Sequence, residues 1–115
     1  MNIESRNATV LGTEWSIEFK ERKADENLAN CDGYCDETSK EIVVAIIEYQ
    51  QGTVKNIDAY MKKVLRHELV HAFFYESGLG ENVEHKSIGV DETTVDWIAF
   101  QFPKMLQTFK EAECL

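Results

Sequence analysis

The order of apolar and polar positions predicts two strands in the first half of the chain. Residues 14–20 alternate strictly, with Trp15, Ile17 and Phe19 on one side and polar or charged residues on the other. This period of two is typical of a strand with one buried and one wet face. Residues 41–47 are a nearly continuous β-branched run, which predicts a buried strand. Between them, residues 31–36 are rich in turn formers and predict a turn.

A period of about 3.6 predicts a helix over residues 57–75. Apolar side chains recur there at helical spacing, and Asn56 can cap the first turn. The pair Ser77-Gly78 predicts the end of this helix, since glycine readily adopts the left-handed conformation found just after a helix.

A second helix is predicted to start at Glu92, with Asp91 as its cap and a kink or restart near Phe102 caused by Pro103. With a further short apolar run at residues 8–11, the pattern predicts an α+β fold, in which a small sheet of about three strands packs on two helices. At 115 residues, the chain is expected to form a single domain over residues 1–115.

The first predicted helix carries candidate metal chemistry in the pattern H-E-x-x-H. His67 and His71 lie four positions apart, so both imidazoles project from one helix face and can bind one metal ion. Zinc accepts neutral histidine nitrogens, and a catalytic zinc keeps one position open for water. Glu68 lies about 100° round the helix from His67, where it can reach that water as general base. The pattern therefore predicts a Zn2+ site.

A catalytic zinc usually has three protein ligands, so a further residue must complete the site. The third histidine of the metzincin pattern is excluded, because Phe74 and Ser77 stand where that pattern has glycine and histidine. The best downstream candidate is Glu92, which lies 21 residues after His71 on the second predicted helix. Three other residues stay open as the third ligand: Glu84, His85 and Asp91.

The two motifs together resemble the gluzincin clan of metallopeptidases, which has H-E-x-x-H on one helix and E-x-x-x-D, here Glu92 to Asp96, on the next. Over residues 41–106 the chain looks closer to small phage and mobile-element zincins of the ImmA/IrrE type. The resemblance implies a minimal zincin-like core in which His67, His71 and Glu92 bind zinc. It also implies that Glu68 is the base, and that Asp96 hydrogen-bonds His67 and fixes its orientation.

This resemblance implies a zinc metalloendopeptidase that hydrolyses a peptide bond by attack of a zinc-bound water, assisted by Glu68. It implies a peptide or protein substrate, aligned as an extra strand along an edge strand drawn from residues 34–48. The short chain favours a specific protein substrate. An alternative is a catalytically weak or inactive zinc-binding module of phage or mobile-element origin that works by binding another protein.

Two further residues are candidates for stabilising the transition state. The hydroxyl of Tyr75, one turn beyond His71, can act on an oxyanion, although an aromatic residue there is also typical of packing. His85 can act in the same way or bind the zinc, and its alternative interpretation is an exposed loop histidine.

Charge and hydropathy limit the expected partners and location. Twelve basic against 21 acidic residues give a net charge of −9, which repels phosphate backbones, so no nucleic-acid partner is expected. Residues 1–10 lack the apolar segment of a signal peptide, and no run reaches the roughly 18 apolar residues of a membrane span. We therefore expect a cytoplasmic protein with no membrane partner, in a host cell if it is phage-encoded. The oligomeric state is not predicted.

The cysteine pattern adds one alternative. Cys31, Cys35 and Cys114 are an odd number and do not make a secreted disulfide framework. We interpret the C-x-x-x-C spacing as turn residues with tucked thiols. Cys114 allows a different hypothesis, in which the C-terminal segment covers the zinc with a thiolate and keeps the enzyme latent.

Overall fold

The structure is a computed structural model that describes residues 1–50, 52, 54–79 and 92–115, with the side chains of these residues apart from 92, 93, 95, 96 and 99. Within these residues it contains a sheet, two long helices and two single-turn 3-10 helices at Arg22–Ala24 and Glu26–Leu28. The strands and long helices are β1 (Arg6–Val10), β2 (Thr13–Glu21), β3 (Gly33–Asp36), β4 (Glu41–Ile46), α1 (Ile57–Glu76) and α2 (Glu92–Glu111).

The strands form one mixed sheet in the order β1-β2-β4-β3. β1 and β2 pair antiparallel, with Ala8 opposite Trp15, whereas β2 and β4 pair parallel, with Ile17 opposite Ile42. β3 pairs antiparallel with β4, with Cys35 opposite Ile42, and lies at one edge of the sheet. The α+β fold predicted from the sequence is therefore confirmed, and the strands predicted at residues 14–20 and 41–47 are β2 and β4.

The turn predicted at residues 31–36 is wrong, because Gly33–Asp36 forms strand β3 and gives the sheet a fourth strand. Asp32, Gly33 and Asp36 favour turns when they are judged locally. The neighbouring strand β4 is buried and offers its backbone as a partner, and its Ala45 amide also donates to the Asp32 carbonyl at 2.9 Å. Pairing with a buried strand outweighs a weak local preference.

Helix α1 has the start and the end that the sequence predicts. The side chain of Asn56 accepts a hydrogen bond from the Ala59 amide at 3.0 Å, which caps the first turn. The helix runs to Glu76, and Gly78 follows with a φ of 82°, in the left-handed region.

Both long helices pack on the same face of the sheet. α1 contacts β3 and β4, whereas α2 contacts β1. The main core between the helices and the sheet consists of Ala8, Val10, Trp15, Ile17, Ile42, Val44, Met61, Leu65, Leu69, Ala72, Phe73, Met105, Phe109, Ala112 and Cys114. On the opposite face, a smaller cluster of Leu28, Val43 and Ala45 covers the centre of the sheet.

Helix α2 is continuous through Pro103, so of the predicted kink or restart near Phe102 the restart is wrong and the kink stays a prediction. A proline inside a helix loses one backbone hydrogen bond. Here the following turns bury Met105 and Phe109 in the main core, and this burial holds the second half of the helix in line. Before Pro103, the described side chains of the helix include three exposed apolar ones: Ile98, Phe100 and Phe102. Over the described residues, neither helix is both long and apolar enough to span a bilayer.

The last residue of α1, Glu76, connects the helix to the sheet through hydrogen bonds and an ion pair. Its carboxylate accepts hydrogen bonds from the Trp15 indole N–H at 2.9 Å and from the Thr13 hydroxyl at 3.1 Å. The Lys40 ammonium lies 2.9 Å away. Burial raises the pKa of Glu76, but hydrogen bonds from Lys40, Trp15 and Thr13 outweigh burial and hold the pKa below its usual value. The carboxylate therefore fixes the end of α1 on three residues that are distant in sequence.

Replacing Glu76 with alanine should lower the free energy of unfolding by about 2 kcal/mol, because the buried Trp15 indole loses its acceptor. Glu76→Gln should lose less, since its amide oxygen can still accept from Trp15. Urea unfolding at neutral pH measures both variants, and an equal loss in the two would contradict the role given to the indole hydrogen bond.

The same carboxylate should make stability depend on pH. Because folding lowers the pKa of Glu76, its contribution is fully present above the ordinary value of about 4.5 and is lost as the pH falls through the lower folded value. The difference in stability between wild type and Glu76→Gln should therefore shrink as the pH is lowered through this range.

Candidate metal centre

The imidazoles of His67 and His71 meet on the exposed side of α1. Their Nε2 atoms are 3.2 Å apart, with ring centroids separated by 4.9 Å and ring planes inclined at 69°. Two nitrogens bound tetrahedrally to one zinc at about 2.0–2.1 Å would be roughly 3.4 Å apart. The observed separation thus fits two ligand atoms of a single metal ion.

Glu68 joins the two histidines in a group that could hold a metal ion. One ligand atom from each of the three residues lies within 4.8 Å of the others. Whereas the histidines are exposed, Glu68 is only 7% exposed, because it faces strand β3. Burial raises the pKa of Glu68, although the charge of His67 opposes this shift. The site therefore contains a carboxylate with enhanced proton affinity beside two nitrogens.

The charge state of His71 also suits metal binding. Burial, and then the nearby charge of His67, lower the pKa of His71 below its ordinary value. A neutral imidazole is the form that binds a metal, because the protonated ring has no free lone pair on nitrogen. Although the ring is largely exposed, protons therefore compete less for it than for a free imidazole in water.

Strand β3 approaches α1 closely at this group. A Cβ atom at position 33 would lie 2.8 Å from Cγ1 of Val64, 3.1 Å from the Val43 carbonyl oxygen and 3.4 Å from Cγ of Glu68. Glycine is therefore the residue that lets the strand lie against the helix here. This role of Gly33 could not be predicted, since glycine in a turn-rich segment of the sequence gives no sign of a contact with residues 64 and 68.

The cysteines lie outside the metal-binding group. Burial, and then the charge of Glu68, raise the pKa of the Cys35 thiol to about 12, so it is protonated at neutral pH. Cys31 donates to the Asn27 carbonyl at 3.1 Å. Cys114 is buried in the main core, and its thiol donates to the Phe109 carbonyl at 3.6 Å. The hypothesis that Cys114 covers the metal is wrong for this structure, because core packing holds the thiol inside the protein.

The predicted residues of the second helix have the expected backbone positions. Glu92 is the first residue of α2, and Asp96 lies one turn further along it. The Phe74 and Trp97 rings, with centroids 4.8 Å apart, join the two helices just beyond His71 and Asp96. The assignments of Glu92 as ligand and Asp96 as its supporting residue stay predictions. Three of the predicted residues lie outside the described residues: Glu84, His85 and Asp91.

Tyr75 is half-buried and packs against the main core. This position agrees with the packing interpretation of the residue. A role for its hydroxyl on an oxyanion stays a prediction.

Comparison of the chain with protein-family models, with curated proteins and with solved structures finds no match. The function is therefore inferred from the geometry of this site and from its surroundings.

Gly33→Ala should destabilise the protein by about 1–3 kcal/mol, because the new methyl group overlaps Val64 in a packed contact. A valine in a helix has one strongly preferred rotamer, so Val64 cannot easily turn away. In a Val64→Ala background the methyl group has room, and the added cost should largely disappear. Urea unfolding of the four proteins in this double-mutant cycle measures the coupling. The same cost in both backgrounds would show that the Val64 contact is not what excludes a side chain at position 33.

Proposed function

We propose that this protein is a zinc-dependent metallopeptidase that cleaves peptide bonds in a specific protein substrate. The observation that carries the proposal is the pair of histidine Nε2 atoms, 3.2 Å apart, beside the buried carboxylate of Glu68. Two nitrogen ligands with an adjacent carboxylate are the arrangement that metal-assisted hydrolysis by the H-E-x-x-H pattern requires.

In the proposed reaction, each of these three residues has one role. His67 and His71 hold the metal, and zinc, when bound, acidifies water and polarises a carbonyl oxygen. Glu68 accepts a proton from the attacking water and passes it to the leaving amine. Its burial against β3 favours this role, because a carboxylate removed from water is a stronger proton acceptor.

We assign the third ligand to Glu92 and the support of His67 to Asp96. The support for this assignment is positional. Glu92 starts the helix that the Phe74–Trp97 contact holds against α1, and Phe74 lies on the same face of α1 as the histidines. A catalytic site with three protein ligands needs one ligand beyond the two histidines of α1, and we propose Glu92 as that residue.

The edge strand β3 favours a peptide as substrate. The hydrogen bond between the Ala45 amide and the Asp32 carbonyl sets the register of β3 on β4. In an antiparallel pair, alternate residues direct their backbone groups to the partner strand, so those of Gly33 and Cys35 point to the free edge. An extended peptide can pair with these groups as an added strand beside Glu68. β3 lies partly within residues 34–48, the segment from which the substrate-aligning strand is expected on the basis of the resemblance.

The exposed apolar side chains of α2 favour the second candidate, a zinc-binding module that works by contacting another protein. Phe100 is 81% exposed, and Ile98 and Phe102 lie on one face of the helix. The two candidates differ in the role of Glu68, because only a peptidase needs a general base.

Purified wild-type protein should contain about one zinc per chain, and Glu92→Ala should lose most of it, because two histidines alone bind zinc weakly. Elemental analysis of untagged protein measures both, and Glu84→Ala tests in parallel the other glutamate that stays open as the third ligand. One zinc in wild type and in Glu92→Ala would reject Glu92 as the third ligand and direct the test to His85. An absence of zinc in the wild type would reject the zinc site.

Glu68→Gln should reduce peptide hydrolysis by about 10²–10⁴-fold, because it removes the general base, and should leave the zinc content unchanged. Digestion of a peptide library followed by mass spectrometry measures cleavage, and elemental analysis measures the metal. Near wild-type cleavage by Glu68→Gln would contradict the assigned role. A protein that binds zinc but cleaves nothing in either form would favour the interaction module.

A further inference from the structure

We propose that the groove beside Tyr60 binds a lysine or arginine side chain of the peptide substrate, three or four residues from the bond that is cleaved. This inference rests on the proposed peptidase function. The groove has a volume of about 720 Å³ and lies where the parallel strands β2 and β4 end, against the first turns of α1. Glu21 and Ile46, the last residues of these two strands, both line it.

The groove is in line with the metal-binding group along α1. At about 100° per residue, Tyr60, His67 and His71 project within roughly 20° of one direction, so they share one helix face. Seven residues separate Tyr60 from His67, which is about 10 Å along the helix axis at ~1.5 Å per residue. An extended peptide advances about 3.3 Å per residue, so the groove lies three or four residues from the reacting bond.

The free edge of β3 leads into the same groove. Asp32 lines the groove and directly precedes Gly33, the first residue of the strand. The Tyr60 hydroxyl donates a hydrogen bond to the Asp32 carboxylate, which joins this end of the strand to α1. Further along, Gly33 lies against Val64 and Glu68. A peptide paired with Gly33 and Cys35 therefore enters the groove where it extends past the Asp32 end of β3.

The basic residues of the groove are already paired. The guanidinium of Arg22 donates to the Cys31 carbonyl at 2.7 Å and to the Asp32 carboxylate at 2.6 Å. It also donates to the Leu28 carbonyl. The Lys23 ammonium lies 3.5 Å from the Glu21 carboxylate. Both cations of the groove therefore already have a carboxylate partner.

Glu48 supplies the negative charge that a cationic side chain needs. Its carboxylate is exposed at the groove and forms no ion pair with the residues that the structure describes. Ile46, Ile47 and Val54 add apolar lining. Lysine and arginine combine an aliphatic stem with a terminal charge, so they match an apolar lining with one free carboxylate. The amino end of α1 carries the positive end of the helix dipole, which would disfavour a cation. It does not reverse the preference for lysine and arginine, because residues 57–59 do not line the groove.

The test is the cleavage profile of a peptide library for wild type, Glu48→Lys and Glu14→Lys. Wild type should favour lysine and arginine at one position, three or four residues from the cleaved bond, by about threefold, the ratio expected from an exposed ion pair. Glu48→Lys should lose this preference or favour acidic residues there. Glu14→Lys makes the same charge change near the opposite end of β2 and should keep the wild-type profile.

Synthetic peptides then test the same position directly. A cleaved sequence is prepared with lysine, norleucine or glutamate there, and kcat/KM is measured with wild type and with both variants. Zinc content and melting temperature serve as controls that the variants are folded and loaded. The lysine peptide should be the best substrate of wild type and of Glu14→Lys, but not of Glu48→Lys.

Each other outcome overturns the inference and shows whether the subsite alone or the peptidase function as well has failed. Cleavage without a basic preference, or a preference that Glu48→Lys does not change, rejects the groove as the subsite and leaves the peptidase in place. A wild-type preference for acidic residues at this position assigns the groove to anions instead. If zinc-loaded wild type cleaves nothing, the proposed function fails and the subsite fails with it.

Discussion

The approach of strand β3 to helix α1 at Gly33 is the constraint on which the candidate site depends. The absence of a side chain at this position brings the edge of the sheet against Val64 and Glu68. A displaced strand would expose the Glu68 carboxylate to water and move the free backbone groups of Gly33 and Cys35 away from the histidines. One close contact thus determines both the environment of the candidate base and the place where an extended peptide can lie.

Two polar contacts hold α1 on either side of this approach. Near its start, Tyr60 donates to Asp32 just before β3. At its end, Glu76 accepts from Thr13 and Trp15 at the start of β2. Because an α-helix has a fixed rise and rotation per residue, fixing both ends also fixes the direction in which the histidines project. The helix face that carries His67 and His71 is therefore positioned by the sheet, although both histidines lie on the helix.

Local patterns in the sequence were sufficient to predict the features that depend only on residues close together in the chain. The spacing of His67 and His71, the alternation in β2 and the Asn56 cap each depend on positions a few residues apart, and all three appear in the structure. Strand β3 could not be predicted in this way. Its four residues favour a turn by themselves and form a strand because β4 pairs with them.

The residues that position the site were missed for a related reason. Gly33 and Val64 are far apart in sequence, and so are Trp15 and Glu76, so no local pattern reports either contact. Glu92, the proposed third metal ligand, is intermediate in this respect. Its helix could be predicted from periodicity, but the relation of that helix to α1 depends on the contact between Phe74 and Trp97.

Burial of Glu68 connects the stability of the protein to its proposed chemistry. A buried carboxylate is unfavourable when charged, so its ionised form costs folding free energy. In the proposed site, a metal ion held by the adjacent histidines would add positive charge at short range. Such an ion, binding only the folded state, would stabilise that state and would offset the desolvation of the carboxylate. The burial that makes Glu68 a better proton acceptor would then also make the stability of the folded protein depend on the metal.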